Sequence, residues 1–356
     1  MLPRATIPGP LLLYGATGYS GRLIARALAD AGMQPILAAR DGTRLARIAE
    51  PLGLEHLPLA LADRDGLDAA LRDVQVVLHA AGPFSETARP MVDACLRTGT
   101  HYLDITGEVQ VIETLALRDG EARRRGIMVM PGVGFDIVAG DCLAMHVVGR
   151  LPDAHELALG VAGLRYMTRG TARSVVEAAD FGVVRRDGAI TRVPLGSLRR
   201  GFDFGNGLQS CLNISWGDVA SAYYTTGVPN VTVYGEATPM LEGFLASSRW
   251  FGWWLASAPV QAWLRASVDL LPEGPTDAER AATRATIVAE ARDPAGRRAM
   301  ARLRTPEVYS FTGTSAAAIA ARVLAGDLEV GFQTPGRVYG ADFVLTLPAV
   351  TREDLQ

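Results

Sequence analysis

The chain has 356 residues, of which 49% are hydrophobic and 21% charged, and its formal net charge is −3 at pH 7. This length predicts about two domains with sizeable cores. The near-neutral charge argues against a sequence-independent nucleic-acid binder. All 35 basic residues are arginine and the sequence contains no lysine. Schiff-base chemistry on lysine, a P-loop lysine and a Tyr-x-x-x-Lys dyad are therefore excluded.

Cysteine and histidine usage bears on compartment and metal binding. The three cysteines, Cys95, Cys142 and Cys211, are too scattered for a disulfide framework or a zinc-spaced pair. None of the five histidines belongs to a ligand-spaced cluster, so no metal site is expected. The Pro-rich start does not have the layout of a signal peptide. We therefore expect a cytoplasmic protein.

The first part of the chain, from residue 11 to about 150, alternates short apolar runs with amphipathic stretches. This rhythm predicts an α/β domain with a Rossmann-type doubly wound parallel sheet. The strand candidates are Leu11–Tyr14, Pro35–Ala39, Glu55–Leu61, Val74–Ala80, Tyr102–Ile105 and Ile127–Met130. The helical patterns are Ser20–Ala31, Thr43–Leu52, Asp65–Leu71, Ala88–Thr98 and Gln110–Arg125.

The regular alternation of strand and helix patterns stops after residue 151. This change predicts a second, α+β domain with a mixed or antiparallel sheet. Its strand candidates are Leu157–Val161, Ile190–Val193 and Asn230–Gly235, and a helical stretch lies near Ser174–Phe181. The Ala- and Arg-rich stretch Thr276–Arg304 is predicted to be helical. The last block has a helix that ends near Gly326, followed by strands. We divide the chain into residues 1–150, 151–305 and 306–356.

A glycine-rich loop, Gly15-Ala-Thr-Gly18-Tyr-Ser-Gly21, follows the first strand and opens the first helix. Glycines in this position let the backbone approach a pyrophosphate, whose charge is met by N–H groups at the helix N-terminus. The placement between a strand and a helix indicates a dinucleotide site. The loop residues expected to contact the cofactor are Gly15, Thr17, Gly18, Tyr19, Ser20 and Gly21.

The end of the second strand bears on the choice between NAD and NADP. An acidic residue at this point binds the ribose hydroxyls in NAD sites. Here the strand ends at Arg40, and Arg44 follows one helical turn later. Two guanidinium groups can clamp a 2′-phosphate, which favours NADP. Asp41 could bind a ribose hydroxyl instead, but we interpret it as the N-cap of the next helix.

Two further segments follow the carboxyl ends of predicted parallel strands, which is where such sheets bind their ligands. Asp63 follows the third strand and is expected near the adenine. A row of small residues ending in an aromatic one follows the fourth strand and is expected beside the nicotinamide ribose. The members of this row are Ala81, Gly82, Pro83 and Phe84.

The chain resembles the saccharopine dehydrogenase-like oxidoreductase superfamily, which includes trans-acting enoyl reductase-like members. The motifs that carry the resemblance are LLLYGATGYSG (11–21), HAAGPF (79–84), ACLRTGTHYLDITGE (94–108) and PGVGFDIVAGD (131–141), with weaker similarity in RGTARSVVE (169–177) and GFQTPGRVYGADFV (331–344). The resemblance implies that residues 1–150 bind NADP and that residues 151–305 form a substrate domain. It also implies that residues 306–356 return toward the first domain.

Candidate catalytic residues are those that could donate a proton or stabilise developing charge. The candidates we select are Asp136, Glu108 and Tyr166. Asp104 and Thr106 lie in the same DITGE motif as Glu108, and Arg169 and Arg173 are candidate substrate contacts. A helix cap is the alternative for Asp136 and Glu108, and a surface salt bridge is the alternative for the arginines. We interpret His79 and His101 as structural strand-end residues.

An apolar segment, residues 241–271, bears on the substrate class. It has only four charged residues, and four of the five tryptophans lie within 250–264. That run of 15 residues contains Pro259 and is shorter than the roughly 20 residues that span a bilayer. The segment could be buried core, could line an apolar pocket, or could make a peripheral membrane contact through 250–264.

These observations predict an NADPH-dependent oxidoreductase that reduces a C=C bond in a hydrophobic, acyl-type substrate. One alternative is a saccharopine-type enzyme that acts on a C=N bond or secondary amine. Another is a non-catalytic dinucleotide-binding protein associated with a membrane. A homodimer is compatible with the sequence, and a nucleic-acid partner is not expected.

Overall fold

In the computed structural model, the described residues are 11–169, 182–237 and 272–355. The chain forms two compact units. The first unit consists of Met1–Val138 and Tyr309–Gly340, and the second consists of Ala139–Val308 and Ala341–Gln356. The last fifty residues therefore contribute to both units. The division falls at Val138, whereas the sequence division was placed at residue 150.

The first unit contains a seven-stranded parallel sheet with the strand order β15-β6-β5-β4-β1-β2-β3. This order confirms the predicted doubly wound fold, with the order reversing between β1 and β4. The strands are β1 (Leu11–Tyr14), β2 (Ile36–Ala39), β3 (His56–Pro58), β4 (Val76–His79), β5 (His101–Asp104), β6 (Met128–Met130) and β15 (Gly331–Phe332). Ligands of such sheets bind at the carboxyl ends of the strands, near the point of reversal.

The helices of the first unit connect these strands. They are α1 (Tyr19–Asp30), α2 (Gly42–Ala49), α3 (Arg64–Arg72), α4 (Phe84–Thr98), α5 (Val109–Ala116), α6 (Asp119–Arg125), α10 (Val308–Leu324) and α11 (Pro335–Tyr339). Helix α7 (Phe135–Gly149) begins in the first unit and continues into the second. Helix α1 buries residues spaced three and four apart, which is the pattern of an amphipathic helix. The helix predicted over 110–125 is two helices, because the chain turns at Leu117, whose side chain is 87% exposed.

The second unit contains a mixed sheet with the main strand order β10-β11-β12-β7-β13-β14-β16, and β8 pairs with both β12 and β9. Among the strand pairs of the described residues in this sheet, only β7–β12 is parallel. The strands are β7 (Glu156–Ala162), β8 (Gly182–Arg186), β9 (Ala189–Val193), β10 (Arg199–Asp203), β11 (Leu208–Asn213), β12 (Asn230–Glu236), β13 (Arg284–Arg292), β14 (Arg298–Pro306) and β16 (Thr351–Leu355); the helices are α8 (Asp218–Thr226) and α9 (Asp277–Ala282). The predicted α+β second domain is confirmed.

The prediction of a helix over Thr276–Arg304 was wrong. Only α9 is helical, and β13 and β14 form a long antiparallel hairpin. In β14, the alternate residues Ala299, Ala301, Leu303 and Thr305 are buried and the residues between them are not, which is the period of a strand. Cross-strand pairing in the sheet therefore overrides the helix propensity of alanine and arginine. Gly296, at φ +83°, completes the turn between the two strands.

Candidate functional site

The glycine-rich loop is shaped by close backbone contacts. Gly15 has φ +90°, and a Cβ atom on it would lie 2.7 Å from the carbonyl carbon of Ala80. A Cβ atom on Gly21 would lie 2.2 Å from the Gly15 carbonyl oxygen, because α1 packs directly against the loop. Glycine is therefore required at both positions, as in loops that hold a pyrophosphate.

Among the helices that follow strands β1 to β4 in the described residues, α1 is the one whose N-terminus no side chain caps. Asp41 caps α2 by accepting the Arg44 backbone N–H at 2.9 Å, and Asp63 caps α3 by accepting the Gly66 N–H at 3.0 Å. Helix α4 is capped by the carboxylate of Glu108. In contrast, the N-cap residue of α1 is Gly18, and no side chain makes a cap hydrogen bond there. The first amides of α1 therefore fit a pyrophosphate group.

Two arginines follow β2 at the same sheet edge. Both Arg40 and Arg44 are exposed, and within the described ranges the Arg40 side chain makes no hydrogen bond or salt bridge. The structure shows Asp41 as the cap of α2, as interpreted from the sequence. A carboxylate engaged in capping is a weaker partner for ribose hydroxyls, so this arrangement is compatible with binding of a 2′-phosphate.

The remaining loop residues lie at the start of α1. Tyr19 is half-buried and its ring meets that of Tyr309 edge to face, with centroids 5.3 Å apart. The first turn of α10 therefore lies beside the glycine-rich loop. Ser20 and Thr17 are also half-buried, and the Thr17 carbonyl oxygen accepts the Arg22 Nη1–H at 3.3 Å. Asp63, expected near the adenine, is exposed.

Residues Ala81–Phe84, which we call the ledge, lie between β4 and α4. The Thr87 hydroxyl donates to the Ala81 carbonyl oxygen at 2.6 Å, and His79 Nε2 lies 3.1 Å from the same hydroxyl oxygen. Burial lowers the pKa of His79 to about 3, so the ring is neutral and acts as a support for the ledge. Sequence reasoning missed Thr87, since a lone threonine in a helix carries no signal of this contact.

Asp104, at the end of β5, is fully buried and ties two loops together. Its carboxylate accepts the backbone N–H of Thr106 at 2.8 Å, that of Gly132 at 2.9 Å and the Tyr102 hydroxyl at 2.7 Å. Burial raises the pKa of Asp104 to about 6, against the lowering effect of these hydrogen bonds. Because these three hydrogen bonds all come from the protein itself, Asp104 supports the loops after β5 and β6.

Asp136 is a carboxylate at this edge that has no hydrogen bond or ion pair within the described ranges. It lies at the start of α7 and is half-buried. Its carboxylate packs over Gly107, where a Cβ atom would lie 2.5 Å from Asp136 Oδ2. Burial raises the pKa of Asp136 to about 6. A half-buried acid of this kind can exchange a proton near neutral pH.

Glu108 caps α4, whereas the alternative considered from the sequence was a cap of α5, the helix that follows it. It occupies the N-cap position of α5 without a side-chain cap hydrogen bond there. Its carboxylate instead accepts the backbone N–H groups of Phe84 at 2.9 Å and Ser85 at 2.8 Å, at the start of α4. This contact also explains why α4 begins at Phe84 rather than at the predicted Ala88.

The other candidates lie apart from this set. Tyr166 belongs to the second unit, in the segment after β7, and its side chain is 36% exposed. Arg169 belongs to the same segment, whereas Arg173 and the apolar segment 241–271 lie outside the described residues. His101 is structural, since its Nδ1 accepts the Met128 backbone N–H at 3.0 Å.

No group of three or more His, Cys, Asp or Glu side chains could hold a metal ion in residues 11–169, 182–237 and 272–355. Over the same ranges, no helix is both long enough and apolar enough to cross a membrane.

Comparisons with known proteins bear on the first unit. A family model described as the saccharopine dehydrogenase NADP binding domain matches residues 11–130. The chain is 37% identical over 139 residues to a trans-acting enoyl reductase of Mycobacterium leprae, which covers 37% of this chain and 33% of that protein. It is 34% identical over 157 residues to a putative trans-acting enoyl reductase of Mycobacterium tuberculosis, covering 41% and 38%. The chain thus spans about a third of the length of these curated relatives.

Among solved structures, the fold is similar to that of apo saccharopine dehydrogenase (L-Glu forming) from Saccharomyces cerevisiae. The TM-score is 0.66 at 14% sequence identity, and the match covers 98% of this chain and 100% of that chain. At this identity the similarity shows a shared fold. The family match over residues 11–130 confirms the predicted resemblance to the saccharopine dehydrogenase NADP binding domain.

Proposed function

We propose that the protein is an NADPH-dependent oxidoreductase that reduces an activated C=C bond in a hydrophobic, acyl-type substrate. The observation that carries the proposal is an acid at the carboxyl edge of the sheet, Asp136, which has no hydrogen bond or ion pair among the described residues and lies in the same unit as the glycine-rich loop. The substrate class is supported by the printed names of the curated relatives, which are trans-acting enoyl reductases.

The cofactor would be held by four groups of residues. The glycine-rich loop and the amides of α1 would bind the pyrophosphate, and Arg40 with Arg44 would bind the 2′-phosphate. Asp63 would lie near the adenine, and the ledge would support the nicotinamide ribose. When bound, the reduced nicotinamide supplies a hydride.

Asp136 is proposed as the proton donor. Addition of a hydride to the β-carbon of an enoyl thioester moves the C=C electron pair toward the carbonyl and leaves an enolate. Asp136 would then transfer its proton to the α-carbon, which completes the saturated product. A carboxyl with a pKa of about 6 keeps a fraction of its protonated form at neutral pH, whereas an ordinary aspartate keeps almost none.

The test compares two substrate classes with purified protein. NADPH oxidation is followed with 2-enoyl thioesters of increasing chain length, and separately with an amino acid plus an oxo acid or semialdehyde. We expect turnover with the thioesters and a loss of at least a hundredfold in kcat for Asp136→Asn. Turnover only with the amino acid pair would favour the saccharopine-type alternative, and NADPH binding without turnover of either would favour a non-catalytic protein. Wild-type kcat in Asp136→Asn would refute the proton donor.

A further inference from the structure

The start of α4 is fixed by two side chains from different parts of the chain. Glu108 reaches it from the loop after β5 and accepts the amides of Phe84 and Ser85. Thr87, inside the helix, donates to the Ala81 carbonyl oxygen. The ledge between β4 and α4 is therefore attached both to the helix that follows it and to a neighbouring loop.

The loop that carries Glu108 is itself fixed. The Glu108 backbone N–H donates to the Thr106 hydroxyl oxygen at 3.1 Å, and the Thr106 N–H donates to the buried carboxylate of Asp104 at 2.8 Å. Gly107, between these residues, lies against the carboxylate of Asp136. A continuous set of hydrogen bonds thus connects the ledge to the loop on which Asp136 packs.

The two bonds also constrain what Glu108 can do. Both carboxylate oxygens accept backbone amides, so the group is already engaged in holding the start of α4. The negative charge also occupies the positive end of α4, whereas within the described residues no side chain caps the N-terminus of α1, where the pyrophosphate would bind.

We infer that Glu108 is a positioning residue, which holds the ledge in place for the nicotinamide end of the cofactor and is not the proton donor. The inference rests on the proposed NADP site and assigns a role within it. The carboxylate acts through Phe84 and Ser85, and not by contact with the substrate.

The experiment measures NADPH affinity and the fluorescence of bound NADPH, neither of which requires a substrate. We expect Glu108→Ala to bind NADPH about tenfold more weakly, equivalent to about 1.4 kcal/mol, and to lose the fluorescence enhancement of the bound nicotinamide. Glu108→Gln keeps one acceptor and should recover most of the affinity. The control is Glu86→Ala, which removes an exposed acid from the first turn of the same helix and should bind as the wild type does.

A failure of this inference can be distinguished from a failure of the proposed function. Failure of the wild type to bind NADPH would refute the NADP site itself. Wild-type affinity and fluorescence in Glu108→Ala would overturn the positioning role. If Glu108→Gln binds NADPH normally but loses turnover together with the acid-dependent part of the pH–rate profile, Glu108 is the donor and the inference is wrong. Thermal unfolding of each variant identifies a loss of fold, and Glu108→Gln keeps the test decisive if Glu108→Ala does not fold.

Discussion

Replacing the buried Asp104 by asparagine tests the electrostatics of the loop cluster. Raising the carboxyl pKa from 3.8 to about 6 makes the ionised form about 3 kcal/mol less favourable in the folded protein than in the unfolded chain. Between these pH values the folded protein binds more protons than the unfolded chain does. The Asp104 contribution is therefore most favourable below about pH 4, and it declines as the pH rises through about 6.

Asp104→Asn removes this dependence while its Oδ1 still accepts the amides of Thr106 and Gly132. We expect the difference in unfolding free energy between variant and wild type to change by about 3 kcal/mol in favour of the variant from about pH 4 to pH 7. Urea unfolding followed by circular dichroism across that range measures it, with the exposed Asp65→Asn as control. A difference that stays constant with pH would refute the reasoning, whatever its size.

Three further predictions concern the cofactor loop, the donor and a cap. Gly21→Ala should abolish NADPH binding, because its Cβ would lie 2.2 Å from a backbone oxygen, whereas Gly149→Ala has open space and should bind normally in calorimetry. In steady-state assays, wild-type kcat should fall as pH rises above about 6, since Asp136 must be protonated to donate, and Asp136→Asn should lose this dependence. Asp41→Ala should lower the unfolding free energy by about 1 kcal/mol through loss of the α2 cap while NADPH affinity is kept; a large loss of affinity would instead place Asp41 on the ribose.

The parts of the structure that follow local rules were predictable from the sequence. The strands and helices of the first unit were found because buried runs and amphipathic periods alternate there, and the glycine-rich loop was found because it joins a strand to a helix. The β13–β14 hairpin was missed because the composition of the segment favours a helix. The alternation of arginine with apolar residues in β14 was the available signal.

The supporting contacts of the site were not predictable, because they join residues distant in sequence. Glu108 caps a helix that begins 24 residues earlier in the chain, so a rule based on local spacing pointed to the wrong helix. Asp104 accepts the amide of Gly132 from the next strand's loop, 28 residues away. In a parallel sheet, residues after neighbouring strands meet only once the sheet has formed.

The central claim is that the first unit binds NADP through α1 and the two arginines after β2. Calorimetric titration with NADPH and NADH, on the wild type and on the Arg40→Ala/Arg44→Ala double variant, tests it most directly. The account predicts that the wild type binds NADPH at least tenfold more tightly than NADH, equivalent to about 1.4 kcal/mol, and that the double variant loses this preference. Equal affinities in the wild type, a preference for NADH, or a preference that survives in the double variant would contradict it.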